Sequence, residues 1–375
     1  MADSTLQRPS APRRRRGPGG IERGTHPLTQ AHAHRHSGTA QTVIAQARKG
    51  GVVAIDAARG RKLWETDIGR GEAEHYRLND LIGSPLVHEG RIYLGSTDGQ
   101  LYCLDLDSGD VVWTYNAEAA VVGRTYFSDG RLFVLALNGG HAVSMDGERL
   151  WTFPTDDPAW FGIPAGKYIF GAIVDDAVCA LDPETGEEQW RVHLDPSRRP
   201  PSFDGLSLYF ATHTHQIISV DVHDEELQAT ELFFPTGAQK LTANTQPVVV
   251  NNVLLFSSNQ GKLHAFHLER DLEELWTAAR CPTPAVVDGE VFVSGALPPE
   301  RRRLGEPADG MSMLGLSDGT PAGFIQTAVN LDNAPFVVGQ QIFGCGDDLV
   351  MALDKRSLRH EWTVRLRGVQ RLTVV

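Results

Sequence analysis

From residue 41 onward, apolar and polar side chains alternate at period two in short runs. Arg91-Ile92-Tyr93-Leu94 and Gln100-Leu101-Tyr102-Cys103-Leu104 are two of them. Alternation of this kind sends successive side chains to opposite faces of a pleated strand. Between the runs stand Asp98-Gly99, Ser108-Gly109, Asp146-Gly147 and Asp288-Gly289, pairs that reach the left-handed backbone conformations tight hairpins need. The pattern predicts antiparallel strands joined by short turns and gives no sign of a helical bundle.

The strands recur as a unit: a strand, a Gly turn, a strand ending in Leu-Asp, another turn, then Trp. Residues 91–115, RIYLGSTDGQLYCLDLDSGDVVWTY, are the clearest copy, with others beginning at Arg131, Lys167 and Val253. The closing aromatic falls at Trp64, Trp113, Trp151, Trp190, Phe233, Trp276, Phe324 and Trp362. Seven steps from Trp64 to Trp362 cover 298 residues, a mean of about 43, which matches the roughly 40 to 45 residues of a four-stranded propeller blade. Each such sheet has apolar residues on both faces and cannot stand alone, so the eight must stack around an axis. The expectation is an all-β, eight-bladed β-propeller of four-stranded antiparallel blades. Trp64, Trp113, Trp151, Trp190, Trp276 and Trp362 are then blade-docking residues, flat side chains wedged against the next blade with a ring N–H in search of an acceptor.

The chain ends predict how the ring shuts. The first repeat offers only three strands, at 41–46, 51–56 and 61–66, and lacks an innermost one. After Trp362 the chain continues into a strand-like segment, 369–375. Paired beside the first repeat, that segment completes the first blade and leaves no blade edge open. Residues 41–375 thus form one domain.

Charge changes the picture of partners. Residues 1–40 hold seven Arg against Asp3 and Glu22, a balance of +5 in a chain of −12, so residues 41–375 carry −17. An acidic body lacks the basic face that neutralises phosphates, which excludes nucleic acid. It suits a soluble protein with another protein as partner, itself a monomer. The four cysteines, Cys103, Cys179, Cys281 and Cys345, show no metal or redox spacing and read as buried thiols. No apolar stretch approaches the roughly 20 residues of a membrane span.

The segment 1–40 is rich in Arg, Pro, Gly and His and buries too little apolar surface to order itself. Its Arg13-Arg14-Arg15-Arg16 run is followed by no apolar leader, so the expected compartment is the cytoplasm. An export signal upstream of a mis-assigned start would make it periplasmic or extracytoplasmic instead. His32, His34 and His36 read as solvated side chains rather than metal ligands.

The segments GVVAIDAARGRKLW from Gly51, GQLYCLDLDSGDVVW from Gly99 and AVCALDPETGEEQW from Ala177 resemble the pyrroloquinoline-quinone-type repeat. The resemblance covers nearly all of residues 41–375 and weakens in blades five and seven, where Phe233 and Phe324 stand for Trp. It implies one of two functions. Quinoprotein dehydrogenases hold pyrroloquinoline quinone and calcium in the central channel, typically with an adjacent cysteine pair, a stacking Trp and acidic ligands. The cysteine pair is missing here, and the acidic triad aligns with no segment. The non-catalytic branch, similar to the lipoprotein of outer-membrane β-barrel assembly, presents loops to a partner and needs no cofactor.

In a propeller the innermost strands and the loops leading into them line the axial funnel, so residues that break the repeat there are the candidate ligand or partner contacts. Reading that position blade by blade selects Asn79, Asp80, Arg124, Trp160, Asn244, Arg280, Asp332 and Asn333. The Asn and Asp residues supply oxygen donors of the kind calcium takes, and they equally cap turns. Trp160 stacks on a planar ligand or packs in the wall; Arg124 and Arg280 hold an anion or balance the acidic body. His213 and His215 share one face of a strand or turn without a third ligand nearby, and 298–310 is a long basic loop suited to recognition or simply tolerated. No hydrolase elbow, phosphate loop or HExxH motif occurs, and no catalytic or metal site is assigned. The expected function is a non-enzymatic scaffold that binds another protein through its loops and axial mouth, without cofactor. A quinone- and calcium-dependent dehydrogenase and a small-ligand sensor built on Trp160 are the alternatives.

Overall fold

The computed structural model describes residues 41–375 except 48–49, 70–82, 157, 174–176, 198, 213–215, 225, 233–242, 244, 259–260, 271, 280–283, 297–308, 328–334, 347 and 358. The strands form eight separate four-stranded antiparallel sheets, the blades of one propeller ring. Blade two runs from an inner strand Leu86–His88 to an outer strand Val111–Asn116, blade three from Val121–Ser128 to Arg149–Pro154, and blade four from Pro158–Ala165 to Glu188–His193. Blades five to eight run from Ser202–Phe203 to Ala229–Leu232, Val248–Val250 to Glu273–Ala279, Ala285–Val287 to Pro321–Gln326 and Phe336–Val338 to His360–Arg365. Inner strands touch between blades two and three, three and four, five and six, seven and eight, and eight and one, which places them around the axis. The segment 1–40 lies outside the described residues.

Blade one is built from both ends of the chain. Its order from the rim inward is Lys62–Asp67, Gly51–Asp56, Thr42–Ala47 and Val369–Val374. Val43 stands opposite Val374, and the register holds to Gln46 opposite Arg371 before a bulge at Ala47. The N–H groups of Gln41 and Thr42 both donate to Val375 O, at 2.7 and 3.1 Å. The strand at 369–375 therefore closes the ring as its sequence predicts.

Period two explains how one strand serves two seams. Val43, Ala45, Val53 and Ile55 pack against Phe336, Phe343 and Trp362 of blade eight. The alternate residues of the same strands, Ile44, Val52 and Ala54, pack against Ile92, Leu94 and Leu104 of blade two. Each of the eight seams holds one such apolar cluster. A fully buried Val, Leu, Ile or Phe contributes about 1.5–3 kcal/mol against solvent exposure, so most of the fold's stability resides between blades.

The repeated tryptophans add direction to these seams. Trp64 Nε1 donates to Leu106 O at 2.9 Å, Trp113 to Met145 O at 3.0 Å and Trp151 to Pro183 O at 3.1 Å. Trp276 donates to Leu316 O at 2.9 Å, and Trp362 crosses the closure to Ala57 O at 2.8 Å. In every case the acceptor belongs to the outer turn of the following blade, and the indole lies flat on a glycine of that turn. A Cβ at Gly109, Gly147, Gly186, Gly319 or Gly60 would stand 2.5–2.8 Å from the ring, and all five have positive φ. The outer turns of blades five, six and eight lack glycine; the aromatics whose blades precede them are Trp190, Phe233 and Phe324. Phenylalanine has no N–H to donate, and Trp190 forms no such bond among the described residues, packing instead at 6.5 Å from Phe170.

The same turns are pinned by aspartates. Asp56, Asp105 and Asp182 each accept two backbone N–H bonds from their own turn, and Asp354 accepts the N–H of Ser357. Hydrogen bonds from Ser108 and Thr185 N–H, and from the Ser357 hydroxyl, hold the Asp105, Asp182 and Asp354 carboxyls below the usual range. Their contribution is present above the ordinary carboxylate pKa and is lost as pH falls through the lowered values.

Trp362 separates the parts of a seam. Trp362→Phe keeps the ring packing but loses the bond to Ala57 O, and is expected to cost about 1 kcal/mol. Trp362→Ala empties the seam and is expected to cost about 3–5 kcal/mol. Urea unfolding followed by far-ultraviolet circular dichroism checks both; equal losses would mean that the indole N–H contributes nothing.

Candidate functional site

Of the residues that break the repeat at the axial mouth, Arg124 and Trp160 are described, whereas Asn79, Asp80, Asn244, Arg280, Asp332 and Asn333 lie outside the described residues. So do His213, His215, Cys281 and most of the 298–310 loop. Cys103, Cys179 and Cys345 are buried and form no disulfide.

Arg124 sits in a bulge of the inner strand of blade three. Register there jumps from Val122 opposite Leu135 to Tyr126 opposite Phe133, and Gly123 takes a φ of 71°. The chain leading into blade two locks the bulge: Gly83 N donates to Gly123 O at 3.0 Å. A Cβ on Gly83 would stand 2.3 Å from Arg124 N, so only glycine fits. The guanidinium lies over the Tyr126 ring at 5.8 Å. Trp160 occupies the inner strand of blade four, between two register shifts. It is 3% exposed and packs in the seam with blade five, 6.0 Å from Phe210.

Two buried histidine networks emerge that sequence reasoning did not single out. His141 Nδ1 lies 2.9 Å from the Tyr115 hydroxyl and Nε2 lies 3.0 Å from Asn138 Oδ1; Arg149 Nε donates to the same hydroxyl at 3.1 Å. In blade six, Ser258 Oγ lies 2.9 Å from His264 Nε2, and His264 Nδ1 lies 2.7 Å from Glu274 Oε1. The second set has the atomic order of a nucleophile, base and orienter. Ser258 and His264 are buried, however, so no acyl group reaches the hydroxyl and the set is a satisfied core network. The signal was present in the repeat: Tyr102, His141 and His264 occupy the third place of the third strand in blades two, three and six, where Val53 and Met351 stand elsewhere.

On the rim, the large apolar residues most exposed to solvent among the described residues are Leu63, Val111, Val112 and Leu150, at 45–46%. All lie on outer strands of blades one to three, and Leu63, Val112 and Leu150 each directly precede a docking tryptophan. Among the described residues no three His, Cys, Asp or Glu side chains gather to hold a metal, and no helix is long and apolar enough to cross a membrane.

A family model described as outer membrane protein assembly factor BamB matches residues 22–97 and 48–297. The outer membrane protein assembly factor BamB of Yersinia pestis is 28% identical over 178 residues, 44% of this chain and 45% of that protein. A quinohemoprotein alcohol dehydrogenase, ADH IIB of Pseudomonas putida, is 29% identical over 190 residues, 43% of this chain and 26% of that protein. These matches span less than half the length of those relatives. The crystal structure of BamB from Moraxella catarrhalis superposes with a TM-score of 0.60 over 82% of this chain and 89% of its own, at 17% identity, a likeness of fold. These matches overturn the cytoplasmic expectation: the family model and several relatives are by name factors of outer membrane protein assembly. The polar, Arg-rich character of residues 1–40 was therefore a poor guide to compartment.

Burial pushes the His141 imidazole down to about 4, so it stays neutral in the fold while an unfolded chain binds a proton near pH 6.5. The unfolded state then binds more protons between those values, and stability declines as pH falls from about 6.5 toward 4. His141→Gln is expected to flatten this decline, read as urea midpoints at pH 7 and pH 5. An unchanged pH slope would assign the decline to other groups.

Proposed function

The chain belongs to the outer membrane protein assembly factor BamB family, and from that premise we propose that it is a non-enzymatic scaffold. It binds another protein through its loops, rim and axial mouth during assembly in the cell envelope. The family match over residues 22–297, about three quarters of the chain, carries this reading; the fold alone would not, since one propeller hosts many functions. The exposed apolar residues Leu63, Val111, Val112 and Leu150 on the outer strands of blades one to three are the rim positions this reading assigns to a partner.

The quinohemoprotein relative favours a second reading, a quinone- and calcium-dependent dehydrogenase. The described mouth residues do not fit a stacked quinone. Trp160, the aromatic placed to stack, is buried against Phe210 in the seam between blades four and five and offers no open face at the axis.

A photo-crosslinking residue placed at Val112 in the full chain, in its native cells, is expected to trap a protein partner as a discrete heteromer that persists through size exclusion. Recovery of monomer alone contradicts the scaffold reading. Titration with pyrroloquinoline quinone and calcium, followed by dye reduction with alcohols and sugars, is expected to give neither binding nor turnover. Turnover would establish the second reading.

A further inference from the structure

We propose that the outer turns of blades one and eight form a basic site that holds an acidic segment of a partner protein. This rests on the scaffold reading and deepens it, naming the chemistry of the partner and the sector of the ring that receives it.

Charge is unevenly spread around the ring. Each outer turn joins the third strand of a blade to its outer strand, so all eight stand at one end of the propeller. Six of them, 106–110, 145–148, 182–187, 222–228, 268–272 and 316–320 in blades two to seven, carry net charges between −1 and −3. The other two are basic. Arg59 and Arg61 give 57–61 in blade one a charge of +2, and Lys355, Arg356 and Arg359 give 355–359 in blade eight +3. The closing seam makes these two turns neighbours: Trp362, three residues beyond Arg359, lays its indole on Gly60 and donates to Ala57 O at 2.8 Å. Five cations thus gather on two adjacent turns of a body that carries −17.

Most of these cations are open to a ligand. Arg59, Arg61, Arg356 and Arg359 are exposed, and Arg61, Arg356 and Arg359 form no ion pair with any described residue. The carboxylates around them are already engaged. Asp56 and Asp354 accept N–H bonds from their own turns, with Arg59 Nη1 3.5 Å from Asp56. Glu361 accepts from Gln341 Nε2 at 2.8 Å, and Lys355 Nζ lies 2.7 Å from Glu290 across the seam with blade seven.

Beside Lys355 the surface opens. In the seam where Phe324 stands in place of Trp, a cleft of about 370 Å³ lies between blades seven and eight, lined by Glu290, Met313, Ala322, Gln340, Lys355 and Arg356. Glu290 and Lys355 neutralise one another, so Arg356 leaves the lining positive, while Met313 and Ala322 give it an apolar wall.

Geometry and chemistry together narrow the occupant. A membrane surface or a nucleic-acid duplex is broad, and laid on this end of the ring it would press its negative charge against six acidic turns. A single peptide segment reaches the two basic turns alone. Its carboxylates match the guanidinium forks, and one aliphatic side chain among them enters the cleft against Met313 and Ala322.

The full chain is titrated calorimetrically with acetyl-Glu-Glu-Leu-Glu-Glu-amide, acetyl-Gln-Gln-Leu-Gln-Gln-amide and acetyl-Glu-Glu-Gly-Glu-Glu-amide, and is sedimented with phosphatidylglycerol vesicles. The Glu-Leu peptide is expected to bind, more weakly as salt rises, and the Gln peptide and the vesicles are not. The combined variant Arg59→Gln, Arg356→Gln, Arg359→Gln is expected to bind the Glu-Leu peptide at least tenfold more weakly. Lys167→Gln, Lys262→Gln, Arg270→Gln removes the same charge from blades four and six and is expected to keep the affinity. Ala322→Trp fills the cleft and is expected to reduce the Glu-Leu peptide to the affinity of its Gly counterpart. Every substituted side chain is exposed, so the variants are expected to keep the thermal midpoint of the parent. Equal binding of the Glu and Gln peptides, equal losses in the two combined variants, an undiminished Glu-Leu peptide in Ala322→Trp, capture by vesicles, or no binding of any peptide each overturns the proposal. None of these results bears on trapping a partner at Val112, so failure of this site and failure of the scaffold reading are told apart.

Discussion

Everything in this molecule depends on the seam between one blade and the next. A four-stranded sheet with apolar residues on both faces has no stable existence by itself. Stacking the blades covers both faces at once, but only if every seam is made, because a ring with one open seam exposes two apolar faces. The tryptophan laid on a glycine fixes the spacing: the ring fits only where the facing residue has no Cβ, and the carbonyl beside that glycine takes the indole N–H. The pairing is also directional, since the indoles of Trp64, Trp113, Trp151, Trp276 and Trp362 all reach forward to the following blade. The eighth can reach forward only to the first.

The seam also decides what stands at the axis. Inner strands are short in most blades but eight residues long in blades three and four, Val121–Ser128 and Pro158–Ala165, and both are irregular in register. Irregular strands between rigid neighbours aim side chains that a regular ladder would alternate in and out. Arg124 and Trp160 stand in these stretches, and their unpartnered donors are the local departure from the saturation seen at the rim.

The architecture was legible because it rests on repetition. Period two, the Gly turns and the spacing from Trp64 to Trp362 all depend on local chemistry repeated eight times, and the three-strand first repeat together with the 369–375 segment predicts the closure that Val43 and Val374 make. The pairing of Trp with a glycine turn one blade ahead could also have been read: turns without glycine in blades five, six and eight follow the blades ending in Trp190, Phe233 and Phe324. The mouth was less legible. A side chain that breaks a repeat can face the axis, a seam or its own turn, and only packing decides; Trp160 stands on an inner strand yet is covered by Phe210. The His141 and His264 networks escaped for a related reason, since one polar residue in an apolar strand reveals its partner only when the next strand is in place. Compartment was misjudged because a leader belongs to the chain's ends and not to its fold.

Ring closure is the claim on which the rest stands, and hydrogen exchange read by mass spectrometry tests it most directly. In the full chain the amides of Thr42–Ala47 pair on both sides, with Gly51–Asp56 and with Val369–Val374. A chain ending at residue 368 is expected to lose protection in Thr42–Ala47 and at the blade-eight strands packed against it, while blades three and four keep theirs. Unchanged protection of Thr42–Ala47 in the shortened chain would contradict the account.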